Sequence, residues 1–164
     1  MPVQTLQPAK AMEIKPDLPN AALPSANWAD AFEIENCDST ADMKSLAQQV
    51  VGTMPRWARA LLALRNMLVV PFGLKPDGLK DVKDPSDMVA IFPVLHQNKD
   101  SIVLGMDDKH LDFRLLLERS KRDQTHTLRL TTLVTRHNVF GRAYIAVVTP
   151  FHKMIVRSTL NDAQ

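Results

Sequence analysis

Apolar and polar residues alternate along much of the second half of the chain, and that period predicts strands. In "GMDDKHLDFRLLLE" (105–118), Leu111, Phe113, Leu115 and Leu117 fall on one side of an extended backbone. Asp108, His110, Asp112 and Arg114 fall on the other. The same period puts Trp28, Asp30, Phe32 and Ile34 of "NWADAFEIE" in one row, a strand at about 28–35. Further strands are expected at about 88–96, 100–106, 110–119 and 125–136. "HQNKD" and "SKRDQ" serve as hairpin turns, and Pro93 demotes its segment to an edge or a bulge. Links this short imply an antiparallel meander.

Helical spacing appears in three places. After the first strand, "DSTADMKSLAQQVV" carries a stripe of Met43, Leu46, Ala47 and Val50, with Ser39 or Thr40 as N-cap and Asp42 in the first turn. "TMPRWARALLALRNMLVV" follows, with Thr53 as cap, Pro55 in the first turn and Trp57, Leu61, Leu64 and Leu68 on one face; Gly73 ends it. A charged loop, "KPDGLKDVKDPSD", separates this pair from the strands. The last helix is read over about 139–160, capped by Asn138, with Tyr144, Val147, Val148, Phe151, Met154 and Ile155 as its apolar stripe. Pro150 inside it predicts a kink, because it removes one backbone hydrogen bond.

The order β, α, α, several antiparallel β, then a long α reads as an α+β domain. A curved antiparallel sheet and one long helix laid across it would bury each other's apolar face. Residues 1–25 hold five prolines and no sustained period, and read as an extended arm, disordered or wrapped on the body. Residues 26–164 then form a single domain, a size that buries roughly two thirds of its unfolded surface.

Composition narrows the class further. Apolar content of 45% and charged content of 23% are those of a globular protein. One cysteine, Cys37, allows no intrachain disulfide or thiol metal cluster and fits a reducing, cytoplasmic location. The first residues lack the apolar core of a signal peptide, and no apolar run approaches a membrane span of about 20 residues. Charge is uneven: residues 1–108 hold ten basic and fourteen acidic side chains, residues 109–164 ten and four. The basic residues are scattered along strands without interleaved aromatics, so no nucleic-acid partner is expected.

The charged row of "DDKHLDFR" is the sharpest candidate for chemistry. Two carboxyl groups and an imidazole suit a divalent metal, but Arg114 ends the row and favours an Asp112–Arg114 ion pair. Asp107, Asp108, His110, Asp112 and Arg114 are therefore assigned to a turn and an ion-paired strand face, in which Asp107 or Asp108 accepts backbone N–H bonds. No metal and no cofactor are expected. Acid–base chemistry by His137, Tyr144 or His152 stands as the enzymatic alternative. No glycine loop cradles a phosphate and no Ser or Cys carries a nucleophile signature.

The segments "PRWARALLALRNMLVVPFGLK" (55–75), "VLGMDDKHLDFRLLL" (103–117) and "TTLVTRHNVFGRAYIAVVTPFHKMIV" (131–156) resemble a family of small bacterial proteins of unknown function. The element order resembles the START-like, or helix-grip, superfamily of lipid-transfer and polyketide cyclase-like (SRPBCC) proteins. The resemblance covers most of the chain after residue 26 and transfers no catalytic residue. It implies a cavity between the sheet and the C-terminal helix, holding a small apolar or amphipathic molecule. The residues expected around it are Arg65, Phe113, Leu115, Thr132, Val134, Tyr144, Val148, Phe151 and His152. Arg65 either reaches solvent or points its guanidinium into the cavity mouth. Hydrophobic ligand binding is the first expectation. A cyclase- or dehydratase-like enzyme using the same pocket, or a filled-core interaction module, are the alternatives.

Overall fold

The computed structural model describes residues 9–35, 40–52, 87–122 and 125–162. They form seven strands and two helices. The strands are β1 (Met12–Ile14), β2 (Trp28–Glu35), β3 (Met88–Val89), β4 (Phe92–Gln97), β5 (Ser101–Asp107), β6 (Leu111–Arg122) and β7 (Thr125–Arg136). The helices are α1 (Met43–Gly52) and α2 (Val139–Asn161). The sheet is antiparallel throughout, in the order β1-β2-β7-β6-β5-β4-β3. It curves around α2, the helix-grip arrangement. The helix expected over "TMPRWARALLALRNMLVV", with Arg65, lies outside the described residues.

Register decides what faces what. Leu117, Leu115 and Phe113 of β6 stand opposite Leu130, Thr132 and Val134 of β7, which stand in turn opposite Phe32, Asp30 and Trp28 of β2. This concave face meets α1 and α2 in one core that includes Phe32, Ile34, Met43, Leu46, Val50, Ile102, Leu104, Leu117, Leu128, Leu130, Val156 and Leu160. Each fully buried aliphatic or aromatic side chain contributes roughly 1.5–3 kcal/mol. The alternation seen in sequence is therefore the inward leucine row of β6.

The outer face is not a wet ladder along its whole length. Val103, Leu116, Thr131 and Leu133 lie on it and are buried. The segment between β1 and β2 reaches across it. Asp17 meets Arg129 at 3.5 Å, and the Ser25 hydroxyl lies 2.8 Å from that of Thr135. β1, within the proline-rich arm, adds an edge strand that three residues of pattern could not reveal. It is latched to α2 through Glu13, which pairs with Lys153 and, at 3.1 Å, with Arg157.

Three local expectations are corrected. The single strand expected over 88–96 is split in two, because Ala90 adopts a positive φ of 53° and turns the chain back so that Met88 pairs with Pro93. The Gln48 side chain of α1 accepts from the Ala90 N–H at 3.0 Å and pins that turn. The cap of α1 is Asp42, whose Oδ1 accepts from the N–H groups of Lys44 and Ser45 at 3.0 and 3.2 Å. The inward face of α2 is also rotated from the expected stripe. Gly141, Ile145, Val156, Thr159 and Leu160 are buried, whereas Val147, Phe151 and Met154 are exposed. Asn138 does cap α2 as read, accepting from the Gly141 N–H at 3.1 Å.

Candidate functional site

The charged hairpin between β5 and β6 resolves into short-range pairs. The Asp108 N–H bonds to the Leu111 carbonyl at 3.0 Å and approaches Asp112 Oδ1 at 3.3 Å. Asp112 thus accepts from the turn backbone. Its other oxygen lies 3.0 Å from His137 Nε2. Arg114 forms a two-pronged bond to Asp107, at 2.5 and 3.2 Å, in place of the expected pair with Asp112. The register explains it: Asp107 stands directly opposite Asp112, diagonal to Arg114 across the hairpin. His110 turns toward the start of α2, where Asn138 Nδ2 donates to its Nδ1 at 2.8 Å and the Phe140 ring sits tilted by 60° at 5.7 Å. The row therefore points in different directions. Among the described residues, no three His, Cys, Asp or Glu side chains gather around one point.

A different polar group forms on the concave face. Asp30 and Thr132 are register partners on β2 and β7, and α2 sets His152 above them. His152 Nε2 lies 3.0 Å from Thr132 Oγ1 and 3.3 Å from Asp30 Oδ1. The Trp28 ring stands edge-on to the imidazole at 6.2 Å. Asp30 is only 4% exposed, and among the described residues its Oδ2 finds no hydrogen-bond partner. A buried polar atom left without a partner costs about 1–3 kcal/mol. The arrangement holds one acceptor oxygen in an otherwise apolar wall.

That wall is half-buried rather than sealed. Leu115 is the β6 neighbour of Thr132, and Phe113 is the neighbour of Val134. Phe113 packs edge-to-face on Phe92 at 5.3 Å and belongs to both apolar clusters, the second of which joins Leu111, Val134 and Ile145 to Trp28 and Tyr144. Val94, Met106, Phe113 and Leu115 all remain half-buried on this face, as do Tyr144, Val148 and His152 at four-residue steps along α2. Of α2's buried residues, none falls between Ile145 and Val156.

Of the expected cavity residues, Phe113, Leu115, Thr132, Val134, Tyr144, Val148 and His152 share these facing surfaces. Phe151 is 43% exposed and lies off that line, and Arg65 falls outside the described residues. His137 is drawn to Asp112, away from His152. Asp30 is the residue that sequence reasoning passed over. Its signal was present: a lone acid in the row Trp28, Phe32, Ile34, where the period calls for an apolar side chain. A separate polar cleft of about 520 Å³ opens at the β4–β5 end of the sheet, lined by Asn98, Asp100, Ser101, Arg119 and Arg129 among others. Its arginines are committed elsewhere, Arg119 to the Ala41 and Lys99 carbonyls and Arg129 to Glu33.

Among the described residues, no helix is long and apolar enough to cross a membrane. No curated protein and no solved structure matches the chain. A family model described as a protein of unknown function, DUF2867, matches residues 22–159, which run from the segment before β2 to the last turns of α2 and take in Asp30, Thr132 and His152. The chain belongs to that DUF2867 family.

Proposed function

We propose that the protein is a bacterial, cytoplasmic member of the START-like (SRPBCC) superfamily that binds a small apolar or amphipathic molecule between the concave sheet face and α2. One observation carries the reading. A buried carboxyl group, Asp30, is held by His152 with one oxygen unpartnered among the described residues, inside a half-buried apolar wall. Ligand sites are mostly apolar with a few convergent polar groups, and that is the composition here. The site needs no nucleic acid and no metal.

A second reading draws on the same geometry. An imidazole 3.3 Å from a carboxyl oxygen is an arrangement that can pass a proton, so the pocket also suits a cyclase- or dehydratase-like reaction with His152 as acid–base. His137, bonded to Asp112, has no part in it.

The test is binding of Nile red, a neutral apolar dye, to the purified full chain, with mass spectrometry of any small molecule released on denaturation. Saturable binding at one dye per chain is expected, weakened at least tenfold by Leu115→Trp, which fills the wall beside Thr132. Dye binding that is absent, or indifferent to that substitution, overturns the reading. Turnover of a bound compound that is lost in His152→Gln while binding is retained would move the assignment to the enzyme.

A further inference from the structure

We infer that the ligand's polar end is a hydrogen-bond donor, an alcohol or an amine on a hydrocarbon body, and that carboxylate-headed molecules such as fatty acids are rejected. This rests on the ligand-binding reading above and names the class of ligand. The acceptor is Asp30 Oδ2, buried and without a partner among the described residues, while Oδ1 faces His152. The neighbouring polar atoms engage one another: the Thr132 hydroxyl and Asp30 Oδ1 both lie within hydrogen-bond distance of the same imidazole nitrogen. A buried carboxylate oxygen without a partner among the described residues, set among apolar side chains, selects an N–H or O–H group. A ligand carboxylate would present a second acceptor to it and set two acidic groups together in apolar surroundings, where repulsion is least screened. The hydrocarbon body would lie on Trp28, two residues before the acid on β2, on Phe113 and Leu115, one strand beyond its partner Thr132, and on Tyr144 of the helix.

The experiment is displacement of Nile red from the full chain by 1-decanol, decylamine and decanoate, matched in tail length. Decanol or decylamine should displace the dye at a concentration at least tenfold lower than decanoate. In Asp30→Asn, which keeps the shape and exchanges an oxygen for an amide nitrogen, the three should fall within about threefold of one another. A lead for decanol assigns the acceptor to neutral alcohols, and a lead for decylamine assigns it to amines. Decanoate binding as tightly as the others in the wild-type protein overturns this inference and leaves the apolar-pocket reading standing. A preference that survives Asp30→Asn overturns it as well. No binding of the dye or of any competitor overturns both. The wild-type series decides the matter even if the Asp30 variant fails to fold.

Discussion

His152 Nε2 and Asp30 Oδ1 lie 3.3 Å apart although 122 positions separate them in the chain. The contact ties the middle of α2 to β2 on the concave face. It has an energetic consequence apart from any ligand. Two hydrogen-bonded polar groups in an apolar wall often stabilise less than well-packed apolar residues of the same volume, whereas removal of one partner strands the other.

His152→Leu alone should therefore lower stability by about 2 kcal/mol, because it leaves Asp30 buried with neither oxygen held by the imidazole. Asp30→Leu combined with His152→Leu should be as stable as the wild type or up to about 2 kcal/mol more stable. Urea denaturation of both single variants and the double variant measures the coupling. A double variant whose loss equals the sum of the singles would show that the pair does not interact.

Gly141 lies in the first turn of α2 where the helix meets the β5–β6 hairpin, and a Cβ there would run into the His110 carbonyl oxygen. Backbone on both sides leaves no flexible side chain to yield. Gly141→Ala should cost about 2 kcal/mol or more, despite alanine's better helix propensity. A melting temperature unchanged or raised by the substitution would contradict this contact.

Ala90 carries its positive φ of 53° between β3 and β4. Left-handed backbone costs an L-residue roughly 1–2 kcal/mol, part of which glycine recovers. Ala90→Gly should raise stability by about 0.5–1 kcal/mol. The Gln48 acceptor is unaffected, because the bond is to the backbone N–H. Calorimetry at neutral pH provides the comparison.

Asp42 carries a pH dependence. The Ser45 hydroxyl, followed by the backbone N–H groups of Ser45 and Lys44, holds its carboxyl group below the ordinary 3.8. A depressed acid stabilises the fold above its unfolded value and loses that contribution as pH falls through its folded value. The cap should therefore weaken only below about pH 3.8. Asp42→Asn should show a smaller fall in melting temperature between pH 5 and pH 2.5 than the wild type. Equal falls in the two proteins would remove Asp42 from the acid response.

Much of the architecture was legible because its signals are local. Trp28–Glu35 and Thr125–Arg136 form strands with the bounds that their alternation implied, and α2 begins after the Asn138 cap. The split at Ala90 was not legible, since "MVAIFPVL" is apolar throughout and alanine gives no turn signal. The rotation of α2 escaped for a related reason. Apolar residues surround most of that helix, so periodicity admits several faces. Packing chose the one on which Gly141 lets the backbone approach the hairpin.

The sequence by itself determined the antiparallel meander, the long final helix, the inward leucines of β6 and the family to which the chain belongs, because period, caps and turns are properties of neighbouring residues. Only the tertiary structure decided that Arg114 holds Asp107, that Phe151 faces outward and that Asp30, Thr132 and His152 come together on the concave face. Those depend on strand register and helix rotation. Both are set by how whole faces fit together, which no single stretch of the chain encodes.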